Sequence, residues 1–82
     1  MNQELDVTFL DGTKRTARAI AADFVAFEAK FDLSIARLEK EIRLTHLLFL
    51  AWHAEKRTGQ TQLEFEPWTE TVNSVELAAA KK

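Results

Sequence analysis

His46 and His53 are the side chains best suited to proton chemistry near neutral pH, and both belong to one apolar stretch, Leu44-Thr45-His46-Leu47-Leu48-Phe49-Leu50-Ala51-Trp52-His53. Seven positions apart on a helix, they point the same way with Phe49 between them. At a rise of about 1.5 Å per residue they stand ~10 Å apart, too far for one metal ion unless a second chain supplies ligands. Polar residues at a helix boundary or interface are the simpler reading, and no metal site is expected. Glu39 with Glu41, and Glu64 with Glu66, are paired acids by position only. General acid–base work needs both carboxyls aimed at one bond, and a solvated face accounts for them more simply. With Gly12 and Gly59 the only glycines, there is no phosphate-cradling loop, and without cysteine there is neither a disulfide framework nor a Cys-based zinc site. No cofactor is expected, and an enzyme is the least expected class.

The element that must carry the histidines is a helix over Ile42 to Arg57. Its apolar run, Leu44 to Trp52, is far short of the ~20 residues that cross a bilayer. On a helical wheel one wide face collects Leu44, Leu47, Leu48, Ala51, Trp52 and Ala54, which reads as the core face. The other side carries Arg43, Thr45, His46, His53, Lys56 and Arg57, with Ile42, Phe49 and Leu50 among them. Such a helix is either covered on both sides or waiting for a partner. The patch Ile42, His46, Phe49, Leu50 and His53 is therefore the candidate partner-binding face, with burial under the hairpin or the first helix as the competing reading. On the binding reading, Phe49→Asp weakens partner binding more than folding. Lys56-Arg57 and then Gly59 suit the helix end, by charge and by the left-handed cap.

Eighty-two residues make one domain with a marginal core, so self-association would help it. Eleven basic against thirteen acidic residues, mixed along the chain, speak against nucleic acid as a partner. The N-terminal residues lack a secretory pattern. Six Phe and two Trp give an aromatic surplus suited to contacts with other proteins.

Leu5, Val7 and Phe9 alternate with polar residues as in a half-buried strand, and Asp11-Gly12 is a hairpin signal. A two-residue turn would place Lys14, Thr16 and Arg18 on the apolar face. A type I turn with Gly12 as a bulge places Thr13, Arg15 and Ala17 there, with Ala19 continuing, and is preferred. A helix follows from Ala21 or Ala22, with Asp23 in its first turn and Phe24, Phe27 and Phe31 in one core stripe. Ser34 can cap a new helical period from Ile35 and Leu38, with the continuity between Leu38 and Ile42 left open. Pro67 suits the first position of a last helix carrying Trp68, Val72 and Val75. The fold expected is α+β and mostly helical, an N-terminal β-hairpin packed on a bundle of three to four helices. It occupies residues 1–76 as a single domain, with 77–82 a flexible tail.

The order of these pieces, a short amphipathic strand, Asp11-Gly12-Thr13, Asp23-Phe24-Val25-Ala26-Phe27-Glu28, Arg43 through Ala54 with Lys56-Arg57-Thr58-Gly59, and Phe65-Glu66-Pro67-Trp68 with Val72, resembles the small tail assembly chaperones of long-tailed bacteriophages, particularly those infecting actinobacteria. It covers about residues 5 to 76. The resemblance implies a non-enzymatic protein that binds the helix-rich tape measure protein in the host cytoplasm and assists assembly of tail tube subunits around it. It also implies absence from the finished virion, and often a second, longer form made by frameshifting, for which Lys81-Lys82 marks a candidate slippery run. A homo-oligomer is expected, with no nucleic-acid or membrane partner. The competing classes are a structural head–tail adaptor or completion protein and a small dimerising regulatory module.

Overall fold

A computed structural model of the chain describes residues 2–32 and 43–78. The hairpin is β1 (Asn2–Phe9) and β2 (Lys14–Ile20), in the register Leu5 to Ala17 and Val7 to Arg15. Phe9 N–H donates to Thr13 O at 2.8 Å and Gly12 N–H to Phe9 O at 2.9 Å, with Gly12 at φ +92. This is the bulged register, and its left-handed position is why glycine stands there. Asp11 Oδ1 accepts the Thr13 N–H at 2.9 Å, and that bond holds the Asp11 carboxyl below the usual range.

Helix α1 (Ala21–Phe31) starts as expected, and Asp23 reaches back to accept the Ile20 N–H at 2.8 Å, satisfying one of the orphan donors of the helix start. It ends at Asp32, which is left-handed at φ 55. Helix α2 (Leu44–Arg57) closes in a Schellman motif: Gln60 N–H donates to Glu55 O at 2.8 Å and Gly59 N–H to Lys56 O at 3.2 Å, with Gly59 at φ +84. A short helix α3 (Phe65–Thr69) and strand β3 (Val72–Leu77) follow. The segment between Ser34 and Ile42 lies outside the described residues.

The strands form one antiparallel sheet in the order β2-β1-β3, so the hairpin's first strand is central. Leu5, Val7, Phe9, Ala17, Ala19 and Val75 face inward and are buried with Phe27, Leu50, Ala54 and Trp68. Burying each of the larger side chains contributes roughly 1.5–3 kcal/mol before the cost of ordering it. The other sheet face is polar, with Glu4, Asp6, Lys14, Thr16, Arg18 and Glu76.

The chain is thus a small α+β domain with three helices among the described residues and a three-stranded antiparallel sheet in place of the two-stranded hairpin expected. The difference lies at Trp68, Val72 and Val75. Pro67 is the third residue of α3, where its missing N–H costs nothing, and the helix closes almost at once: Thr71 N–H and Oγ1 both donate to Trp68 O, at 2.9 and 2.7 Å. Val72 and Val75 then lie in a strand. The main-chain groups of β1 that face away from β2 need partners, and a segment with two β-branched valines meets that need better than a helix would. The sheet also runs past residue 76, since Leu77 pairs with Leu5 and Ala78 N–H donates to Glu4 O at 2.9 Å. The expected flexible tail over 77–82 therefore begins inside a strand, and residues 79–82 lie outside the described residues.

Candidate protein-docking site

Three residues of the patch expected to bind a partner lie in the core. His46, Phe49 and Leu50 are buried, His53 is half-buried, and Ile42 lies outside the described residues. Phe49, 5% exposed, sits among rings of both neighbouring helices and its own, 5.4 Å from Phe31, 5.8 Å from Phe65 and 5.6 Å from Trp52 between centroids. Its position corrects the assignment and the expectation for Phe49→Asp, because α1 and α3 cover the side of α2 that the wheel left open. The wheel is also turned at the other edge: Leu44, expected in the core, is 61% exposed.

The two histidines go to different places. His46 packs edge-on against Phe27 and Phe31, with ring centroids 5.1 and 5.0 Å away, and its Nδ1 is buried with no hydrogen-bond partner. The Nδ1–H of His53 donates to Asp23 Oδ1 at 2.6 Å, a carboxylate that also accepts from Arg57 Nε at 3.1 Å and Nη2 at 2.9 Å. Burial alone pushes the Asp23 carboxyl up; the hydrogen bonds from Arg57, His53 and the Ile20 main chain outweigh it and hold the group below the ordinary carboxylate range. The same bond to Asp23 raises Arg57. Arg57 Nη2 donates as well to Arg18 O at 3.1 Å, so the cluster joins the start of α1, the end of β2 and the last turn of α2. It is an anchor between elements. Among the described residues no three His, Cys, Asp or Glu side chains gather as a metal site, and no helix is long and apolar enough to cross a membrane.

A second buried acid builds the surface that remains. Glu55 accepts Arg15 Nε at 2.8 Å and Nη2 at 3.0 Å, and its Oε1 also accepts the Trp68 Nε1–H at 3.2 Å. The bond to Glu55 raises Arg15, whose guanidinium lies 4.5 Å from the centroid of the Phe9 ring. Phe9 meets Trp68 edge to face at 6.2 Å. Arg15, Glu55, Phe9 and Trp68 therefore fix one another. Above them opens a groove of about 350 Å³, lined by Phe9, Leu10, Arg15, Leu63, Trp68 and Thr71 among others.

The rim of this groove is apolar and open to water: Leu10 is 66% and Leu63 42% exposed. Leu10 is held by the hairpin turn and by its own N–H donating to Thr71 O at 2.9 Å; Leu63 is held where its carbonyl accepts the Trp52 Nε1–H at 2.8 Å. Two exposed leucines on anchored main chain thus border an aromatic floor. Sequence reasoning placed Trp68 in the core but missed Leu10, Leu63 and the Arg15–Glu55 pair. One signal was available, since the bulged register put Arg15 on the inward face, where a guanidinium requires a buried acid. Searches against protein-family models, curated proteins and solved structures find no match to this chain.

Proposed function

We propose that this protein is a non-enzymatic tail assembly chaperone of a long-tailed bacteriophage, which holds the tape measure protein in the host cytoplasm and does not remain in the virion. The observation that carries the reading is the pair Leu10 and Leu63, exposed at the rim of a groove whose floor is fixed by the Arg15–Glu55–Trp68 network. A long helical client offers repeated apolar stripes, and a small rigid apolar rim surrounded by mixed charge suits reversible capture of such stripes. The order of turn and apolar residues that resembles these chaperones supplies the identity of the client. The bonding of Asp23, Glu55 and His53 supports the same class, since each is engaged in bonds that tie one element to another.

Mass spectrometry on infected cells and on purified particles tests the role. A chaperone co-purifies with the tape measure protein from lysate and is absent from particles. Stoichiometric presence in particles favours a head–tail adaptor instead.

A further inference from the structure

We infer that the outer edge of β3, which no described strand pairs with, pairs with the same edge of a second copy of this chain, antiparallel about Val75, to make one sheet continuous through both copies. Among the described residues the sheet has two outer strands, β2 and β3, and they differ in how they are protected. Strand β2 carries Lys14 and Arg18 on its outward face, and the Arg18 carbonyl is already taken by Arg57 Nη2 at 3.1 Å. Charge of this kind is how natural edges resist pairing. Two β2 edges brought together antiparallel about Thr16 would also set Lys14 of one copy opposite Arg18 of the other, which is repulsive.

Strand β3, Val72-Asn73-Ser74-Val75-Glu76-Leu77, carries one charge. Its main-chain directions follow from one bond: Ala78 N–H donates to Glu4 O of β1, so by alternation Leu77 and Val75 direct their N–H groups to the outer edge. Antiparallel pairing about Val75 places Val75 against Val75 and Ser74 of one copy against Glu76 of the other, and regular pairing ends at Asn73, the extra residue of a bulge opposite Thr8 and Phe9. No like charges are opposed. Leu77, 40% exposed at the inward side of this edge, would be partly covered. A two-fold, self-complementary contact is the commonest form of association for soluble proteins, and a domain of this size gains from the added burial. The inference rests on the sheet edge alone and is independent of the client.

Sedimentation of the full chain together with cysteine pairing tests it. The wild type is expected to be a dimer. Leu77→Pro, which removes an edge donor, and Leu77→Lys, which adds an edge charge, are both expected to weaken it roughly ten-fold or more with the circular dichroism unchanged. Because the chain has no cysteine, Ser74→Cys and Glu76→Cys can be made singly and mixed under oxidation. The mixture is expected to form the disulfide-linked pair, and each variant alone is not. A wild type that stays monomeric at the highest concentration reachable overturns the proposal. So does a dimer that both Leu77 variants leave intact, or cross-linking of the single variants as efficient as that of the mixture.

Discussion

The Arg15 guanidinium and the Glu55 carboxylate meet side on, Nε 2.8 Å from Oε2 and Nη2 3.0 Å from Oε1, and so tie an outer strand to the central helix beneath the groove floor. Glu55 is buried while about a third of the Arg15 side chain reaches water, 2% against 36% exposed. The two ends of the pair are therefore unequal. Arg15→Met strands a buried carboxylate and is expected to cost about 3 kcal/mol, whereas Glu55→Gln keeps an acceptor for Trp68 and is expected to cost about 1–2 kcal/mol. Replacing both residues with Met should recover much of the loss. Urea unfolding of Arg15→Met, Glu55→Met and the double variant gives the coupling, and the same measurement on Glu55→Gln checks its smaller cost.

Asp23 contributes to the acid limb of stability. Its folded carboxyl lies below the ordinary range, so the folded state binds fewer protons than the unfolded one as pH falls toward that range. Its contribution is fully present above about pH 4, the ordinary aspartate value, and is lost as pH falls through the lower, folded value. Asp23→Asn should lower stability at neutral pH and flatten the dependence below about pH 4. Unfolding free energies from pH 7 down to pH 2.5 check it.

Phe49 and His46, both buried on α2, should differ sharply in what their replacement costs. Phe49→Ala removes a ring packed against Phe27, Phe31, Trp52 and Phe65 and is expected to cost about 3–5 kcal/mol, a large part of what a domain this small has. His46→Leu removes a buried Nδ1 without a partner and is expected to be neutral or stabilising. Thermal melts of the two variants give the comparison.

Leu10→Asp and Leu63→Asp alter side chains that are mostly in water, and each should change stability by less than about 0.5 kcal/mol. Their expected effect is on client capture alone. A large fall in melting temperature for either would place that leucine in the fold and remove it from the site.

Much of this fold was legible because local chemistry decides it. Asp11-Gly12-Thr13 set the hairpin register, Asp23 marked the start of α1, and Lys56-Arg57 with Gly59 marked the end of α2. The third strand was not legible, because Trp68, Val72 and Val75 are spaced four and three apart, which suits a helix stripe as well as a short helix followed by a strand. What decides is the unpaired side of β1, a tertiary fact. The orientation of α2 was hidden for a related reason: apolar residues occur nearly all round it, and α1, α3 and the sheet together choose its buried sides. The groove is assembled from Leu10, Arg15, Leu63 and Trp68, in two stretches some fifty residues apart, and no window of sequence contains it.

The most direct test of the proposed role is co-expression of this chain with the tape measure protein encoded in the same genome, reading the soluble fraction of the latter. The account predicts that the wild-type chain keeps the tape measure protein soluble and in complex, and that Leu10→Asp combined with Leu63→Asp, while folded, does not. A tape measure protein equally insoluble with and without the chain, or equally rescued by the folded double variant, contradicts it.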